Sequence, residues 1–263
     1  MNKLSIIIPV YCQEQTIRRD IKNLIDALEG VSMPFEVIVV IDGKLDNSWQ
    51  EAKKVGDSRV FVVGYNSNHG KGYAVRFGFA KARGNIIGFM DAGGDLSPKA
   101  LPLMLEQFTS NNADIVIGSK RHPLSKVNYP IVRRITSIIY QLLVKILFGI
   151  SIKDSQVGMK LYRREVLELV LPRVLVKEFA FDIEILSVSN YLGFKRIIEA
   201  PIELNFDGVV SSITWKKLFS TSAKMFRDTC AIYYRLYIRR YYDTSNKRKW
   251  RFDPELNFRV NTG

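Results

Sequence analysis

The chain has 263 residues, 47% hydrophobic and 25% charged, which fits one large α/β domain with an appendage and excludes a disordered or low-complexity protein. The net charge of +13 points to an anionic partner, whether nucleic acid, phosphorylated ligand or anionic membrane, and the excess is uneven: from Ile213 onward twelve Lys/Arg stand against four Asp/Glu. Two distant cysteines, Cys12 and Cys230, fit a reduced compartment; Pro9 interrupts the first apolar run, so no signal peptide is expected, and no stretch reaches the roughly 18 apolar residues that span a bilayer.

In chain order, Leu4 to Val10 is a short, branched, apolar run that reads as a buried strand. Ile17, Ile21, Leu24, Ile25 and Leu28 then recur at helical spacing. Phe35 to Ile41 is a second strand, ended by Asp42-Gly43, and Arg59 to Val63 a third. Asn66 to Gly72 reads as a loop and Tyr73 to Ala82 as a helix. Ile86 to Met90 is a fourth strand that stops abruptly on Asp91. Gly93-Gly94, Asp95 and Ser97-Pro98 follow, with a helix expected from Pro98 to Phe108. Asp114 to Ile117 is a fifth strand, ended by Gly118-Ser119. Strands alternating with helices predict βαβ units: an α/β fold with a mostly parallel sheet flanked by helices. Right-handed crossovers bring the strands' carboxyl ends to one edge, which then collects Tyr11, Asp42, Lys71, Asp91, Asp95 and Ser119.

Beyond Ser119 the character changes. Lys120-Arg121-His122 is basic, and Tyr129 to Phe148 is a long amphipathic helix carrying Arg133-Arg134. Asp154 to Tyr162 runs from polar to apolar. Phe181 to Leu192 reads as a helix bearing Asp182 and Glu184, which are two apart and so do not share a face; at most one of them meets Asp91 in a cleft. Phe194 to Leu204 is a strand candidate with a break at Pro201. The last helix, Trp215 to Arg240, spaces Trp215, Leu218, Phe219, Met225, Phe226, Ile232, Tyr233 and Leu236 at helical intervals and fills much of the rest with Lys and Arg. It packs on the domain, lies on an anionic bilayer, or binds nucleic acid; no nucleic-acid motif accompanies it, and the bilayer is preferred. From Asp243 on the chain reads as a polar, basic tail, mobile in part.

Several chemistries are absent. No G-x-G-x-x-G follows the first strand, His69 and His122 have no partners at metal-ligand spacing, and there is no G-x-S-x-G elbow. Gly70-Lys71-Gly72 is not a Walker A loop, because Gly72-Tyr73 follows the lysine; it is a surface loop or a phosphate cradle. Asp91 and Asp95, around a glycine pair, either share a hard divalent cation, Mg²⁺ or Mn²⁺, or form a strand end, turn and helix cap.

Taken together, S-I-I-I-P-V-Y, V-I-V-V-I-D-G-K, N-H-G-K-G-Y-A-V-R-F-G, I-I-G-F-M-D-A, D-I-V-I-G-S-K-R, R-R-I-T-S, D-S-Q-V-G-M-K-L-Y-R-R and F-A-F-D-I-E-I-L resemble glycosyltransferase family 2, of GT-A (Rossmann-like) fold. The likeness runs from Lys3 to Leu204 and leans toward the polyprenyl-phosphate (dolichyl-phosphate) glucosyl- and mannosyltransferases. It implies a transferase domain over 1–212, with a nucleotide-sugar half (1–119) and an acceptor half (120–212), followed by a basic amphipathic extension over 213–263. Pro9, Val10, Tyr11, Glu14 and Asp42 fall on the nucleoside side, and Gly70, Lys71, Asp91, Ala92 and Ser119 near the diphosphate. Arg121, Arg133, Arg134 and Lys160 match groups that face phosphates, and Asp154, Gln156, Asp182 and Glu184 the acceptor side. Asp91 matches the first acid of a D-x-D metal motif, but Gly93 stands at the second, so Asp95 has to replace it. Ile41-Asp42-Gly43-Lys44 and Cys12-Gln13-Glu14 likewise depart from D-D-G-S and N-E-E.

The implied reaction is inverting transfer of a hexose from a UDP- or GDP-sugar to polyprenyl phosphate at the cytoplasmic face of a membrane. A phosphate acceptor is already an anion and needs no strong base, whereas a sugar hydroxyl would need one, with Asp154 or Asp182 as candidates. The alternatives are a saccharide acceptor, or a binding protein with weakened catalysis. The sequence does not yield an oligomeric state.

Overall fold

A computed structural model describes residues 3–127, 131–177, 180–204, 215–243 and 250–261, with 131–135, 215–222 and 261 described by backbone alone. The elements run β1 (Leu4–Val10), α1 (Ile17–Leu28), β2 (Phe35–Asp42), α2 (Ser48–Lys53), β3 (Val60–Tyr65), α3 (Lys71–Lys81) and β4 (Ile86–Met90). A 3₁₀ turn (Pro98–Ala100) leads into α4 (Leu101–Ser110), then β5 (Ile115–Ser119), α5 (Ile131–Phe148), β6 (Met159–Arg163), α6 (Arg164–Val170), α7 (Phe181–Tyr191) and β7 (Ile197–Pro201). The chain closes with α8 (Trp215–Tyr233), a π-helical turn (Tyr234–Ile238) and a hairpin of β8 (Trp250–Asp253) and β9 (Phe258–Asn261).

The main sheet has the order β3-β2-β1-β4-β6-β5-β7. All its strands are parallel except β6, which runs antiparallel between β4 and β5. β1 is buried on both faces, as its unbroken apolar run requires. Alternate side chains serve opposite layers. Ile7, Ile38 and Phe89 pack with α3, α5 and α7; Ile6, Ile8 and Val39 pack with α1 and α4. Strand order reverses between β1 and β4, and ligands of open α/β sheets bind at the carboxyl end of such a reversal.

The structure differs from the sequence reading at five places. β6 is a strand where only a polar-to-apolar change was legible, and the short helices α2 and α6 were not foreseen. Helix α3 starts at Lys71 rather than Tyr73, because Gly70 turns at φ +87° and its carbonyl already accepts from the N–H groups of Tyr73 and Ala74. Helix α8 and the π-helical turn after it split the apolar residues: Ile232 and Leu236 are buried in the core, whereas Phe226 points outward. The side chains of Trp215, Leu218 and Phe219 lie outside the described residues. The expected tail holds a hairpin: Trp250 lies under the Arg173 guanidinium at 5.0 Å, Phe258 packs edge-on to Phe79, and Leu256 is buried. Among the described residues no helix is long and apolar enough to cross a membrane.

Candidate active site at the carboxyl edge of the sheet

Asp91 leaves the end of β4 with its N–H donating to the Gly158 carbonyl at 2.8 Å. A Cβ on Gly158 would lie 1.9 Å from Asp91 Oδ2, so the carboxylate occupies space that only glycine leaves open. Asp91 Oδ1 meets Lys71 Nζ at 2.8 Å. Lys71 Nζ is also 3.2 Å from Asp182 Oδ2, and Lys160 Nζ reaches Asp182 Oδ1 at 2.6 Å. Asp91, Lys71, Asp182 and Lys160 thus form a row of alternating charge, from 40% side-chain exposure at Asp91 to 1% at Lys160. Burial opposes the charged form of Asp182, but Lys160 and Lys71 outweigh it and hold the carboxyl below its usual value. Burial also opposes the Lys71 ammonium, yet Asp182 and Asp91 raise it above the ordinary lysine value. At Lys160 burial wins: despite Asp182, and with Lys71 repelling it, its pKa is lowered.

The Gly70-Lys71-Gly72 loop is threaded rather than free on the surface. Asp42 accepts from the N–H groups of His69 at 2.7 Å and Gly70 at 2.9 Å, one on each oxygen. Gly72 N–H donates to the Lys177 carbonyl at 3.0 Å. A Cβ on Gly70 would meet that carbonyl oxygen at 2.8 Å, and one on Gly72 would meet Val176 O at 2.7 Å. Only the central residue has room for a side chain, and that residue is Lys71. Nearby, Gln13 N–H donates to Ser48 Oγ and Asn47 N–H to Glu14 Oε2, which ties the β1–α1 loop to the start of α2. Asp42 and Glu14, expected on the nucleoside side, thus hold backbone, while Tyr11 is exposed, Pro9 half-buried and Val10 buried.

On the other side of Asp91, Asp154 is buried and accepts from Lys120 N–H at 3.1 Å and Gln156 N–H at 3.2 Å. It folds the exit of β5 against the loop before β6. Gln156 Nε2 donates to Met225 Sδ at 3.5 Å. Lys120, Arg121, His122, Ser125, Lys153 and Ile138 line a cavity of about 610 Å³. Arg121 Nη1 and Ser119 Oγ are buried without a hydrogen-bond partner among the described residues. Half-buried Ala92 follows Asp91. Arg133 and Arg134 fall in the first turn of α5, with side chains outside the described residues.

Two expectations need correction. Lys160, read as a phosphate contact, is buried and donates to the Val157 carbonyl and Asp182; it acts through Asp182. Glu184, read as an acceptor-side group, points away from Asp182 because two residues turn a helix by roughly 200°. It accepts from Leu175 N–H at 2.8 Å, Val176 N–H at 2.7 Å and the Tyr242 hydroxyl. The expected metal pair lies on one loop, with Asp91 half-buried and Asp95 exposed, and among the described residues no group of three His, Cys, Asp or Glu side chains includes them. The loop between the two acids is also tied to Asp20 of α1, whose Oδ2 accepts from Gly93 N–H at 3.0 Å. The signal for Asp20 was available: it is an acid within the stripe Ile17, Ile21, Leu24 of an amphipathic helix.

The mostly parallel seven-stranded sheet flanked by helices is like that of GT-A-fold structural neighbours. The crystal structure of glucosyl-3-phosphoglycerate synthase from Mycobacterium tuberculosis, solved with Mn²⁺, uridine diphosphate and phosphoglyceric acid, shares this fold: the TM-score is 0.67 at 20% identity, over 88% of this chain and 78% of the other. The Glycosyl transferase family 2 profile matches residues 5–171, and the chain belongs to that family. It is 31% identical to the dolichyl-phosphate beta-glucosyltransferase of Drosophila melanogaster over 232 residues, 82% of this chain and 71% of the relative. A dolichyl-phosphate beta-glucosyltransferase of Trichomonas vaginalis is 28% identical over 215 residues, 77% of this chain and 65% of the relative. The chain thus spans just under two thirds of that protein's length.

Proposed function

We propose that this protein transfers a hexose from a nucleotide sugar, UDP-glucose-like or GDP-mannose, to polyprenyl phosphate, with inversion at the anomeric carbon. The observation that carries the reading is the state of the carboxylates. A hydroxyl acceptor needs a base, yet Asp154 is engaged by two backbone N–H groups and Asp182 lies between two ammonium groups that keep it ionised and weakly basic. A phosphate acceptor needs no base. It needs cationic positioning, which the cavity of Lys120, Arg121 and Lys153 supplies beside the donor cleft. The acceptor oxygen attacks the anomeric carbon while the bond from that carbon to the diphosphate oxygen breaks, and the electron pair leaves on the nucleoside diphosphate. Lys71 neutralises the charge that develops there. The named substrates of the fly and Trichomonas relatives support both glucose and a lipid phosphate.

Asp91 fits a divalent cation of the kind held by one or two protein carboxylates and completed by substrate phosphates and water, because its carboxylate is half-exposed at the carboxyl end of β4. Asp91 would hold the cation, with Asp95 on the same loop as the second candidate. When bound, Mg²⁺ or Mn²⁺ supplies Lewis-acid neutralisation of the leaving diphosphate.

The membrane contact belongs on α5. Ile138, Ile139, Leu142 and Ile146 are exposed on its outer side, the helix has no acidic residue, and Ile138 also lines the basic cavity. An anionic lipid surface at the cytoplasmic face would thus lie beside the acceptor phosphate. Release of UDP or GDP in the presence of Mg²⁺ or Mn²⁺ and polyprenyl phosphate tests the whole reading. Turnover with saccharide acceptors only would sink it, and nucleotide binding without turnover would favour a weakened, binding-only protein.

A further inference from the structure

Glu184 is fully buried, yet no part of the transfer chemistry uses it. One of its oxygens accepts from the N–H groups of Leu175 and Val176. The other accepts from the Tyr242 hydroxyl and lies 3.8 Å from Arg235 Nη2. The first pair fixes the segment 175–177, and the second belongs to the chain after α8. Segment 175–177 is the roof of the donor loop: the Lys177 carbonyl accepts from Gly72 N–H, and the Lys177 and Val176 carbonyl oxygens lie so close to Gly70 and Gly72, respectively, that neither position admits a side chain. Lys71 stands between those glycines.

The C-terminal part reaches α3 from the other side as well. Tyr73, two residues after Lys71, donates its hydroxyl to Glu255 Oε2 at 2.5 Å, and Phe258 packs on Phe79. Arg173 binds the Tyr242 carbonyl at 2.9 Å and covers Trp250. All of these C-terminal contacts come from residues beyond 171, where the family match ends.

We propose that Glu184 is a positioning residue: it locks segment 175–177 to the C-terminal segment, and this brace sets where the Gly70-Lys71-Gly72 loop presents Lys71 to the donor diphosphate. The inference rests on Lys71 as the counter-charge to that diphosphate. It also explains the two acids of α7: Asp182 holds the Lys71 ammonium directly, and Glu184 holds the 175–176 backbone next to the carbonyl that accepts from Gly72 N–H.

The test has two arms on the full-length protein. Hydrogen exchange of peptides covering 66–75 is compared between the unaltered protein and Glu184→Gln, with faster exchange in the variant expected. Steady-state kinetics with nucleotide sugar and polyprenyl phosphate then reads the split: a fall in kcat/KM of roughly 10- to 100-fold, carried by the donor KM, with the acceptor KM unchanged. Tyr242→Phe removes one donor to Glu184 and is expected to move both readouts the same way by less, which decides the matter if Glu184→Gln does not fold. Unchanged exchange at 66–75, or equal losses toward donor and acceptor, would overturn the proposal. Absence of turnover in the unaltered protein would count against the transferase reading, while the exchange arm still decides the brace.

Discussion

At the scale of single residues, the site is governed by one missing atom. Gly158 has no Cβ, and Asp91 fills the place where it would be. Gly158→Ala is therefore expected to displace the Asp91 carboxylate and lower turnover by about 100-fold, with the fold retained. Nucleoside diphosphate release and the thermal midpoint, measured on the same preparation, check this; full activity would mean that Asp91 has no fixed place in the reaction. Lys160 makes the opposite case. It is buried against Asp182, so Lys160→Met leaves that carboxylate with Lys71 alone and is expected to cost about 3 kcal/mol of stability in urea titration. The sequence pointed to Asp91 and Lys71, one at an abrupt strand end and the other between glycines. It did not point to Gly158, because the clash that forbids a side chain there joins residues far apart in the chain.

Among the elements, α5 and α7 carry separate lessons. The exposed apolar side of α5 rests on no other part of the described chain. Leu142→Glu with Ile146→Glu is expected to weaken co-sedimentation with anionic vesicles severalfold, while transfer to a short-chain, water-soluble polyprenyl phosphate stays within about twofold, since a few charges and CH₂ groups dominate such binding. Equal sedimentation of variant and unaltered protein would remove α5 from the membrane. For α7 the sequence showed that Asp182 and Glu184 could not share a face, but not which one would meet Lys71. That depends on the rotation of the helix about its axis, which its packing on the sheet sets. The outer α8 residues show the same limit: helical spacing identified an amphipathic helix, but packing chose Ile232 and Leu236 for the interior and left Phe226 outside.

For the whole molecule, pH sensitivity follows from the charge row. The Asp182 carboxyl is lowered in the folded state, because Lys160 and Lys71 outweigh its burial. It binds fewer protons folded than unfolded, so its contribution is present above the unfolded value and is lost as pH falls through the folded one. Glu184 has the opposite sign: burial raises it despite Arg235 and Tyr242, and its contribution declines as pH climbs from the unfolded value through the raised one. Stability measured by urea titration from about pH 7 down to about pH 3 is expected to fall below about pH 4 through Asp182, and Asp182→Asn is expected to flatten that acid limb. An unchanged limb would show that other carboxylates control acid unfolding.

Local pattern by itself determined the parallel βαβ body and its carboxyl edge, with Asp91 at a strand end, because buried strands and amphipathic helices write their periodicity into neighbouring residues; the likeness to a family then singled out Lys71 and Asp182. Tertiary structure alone decided the rest. The antiparallel insertion of β6 brought Gly158 under Asp91 and Lys160 under Asp182. The roof at 175–177 turned Gly70-Lys71-Gly72 from a surface loop into a threaded one, and the folded hairpin replaced an expected tail. Each of these depends on contacts between segments tens of residues apart, and no local periodicity records such a contact.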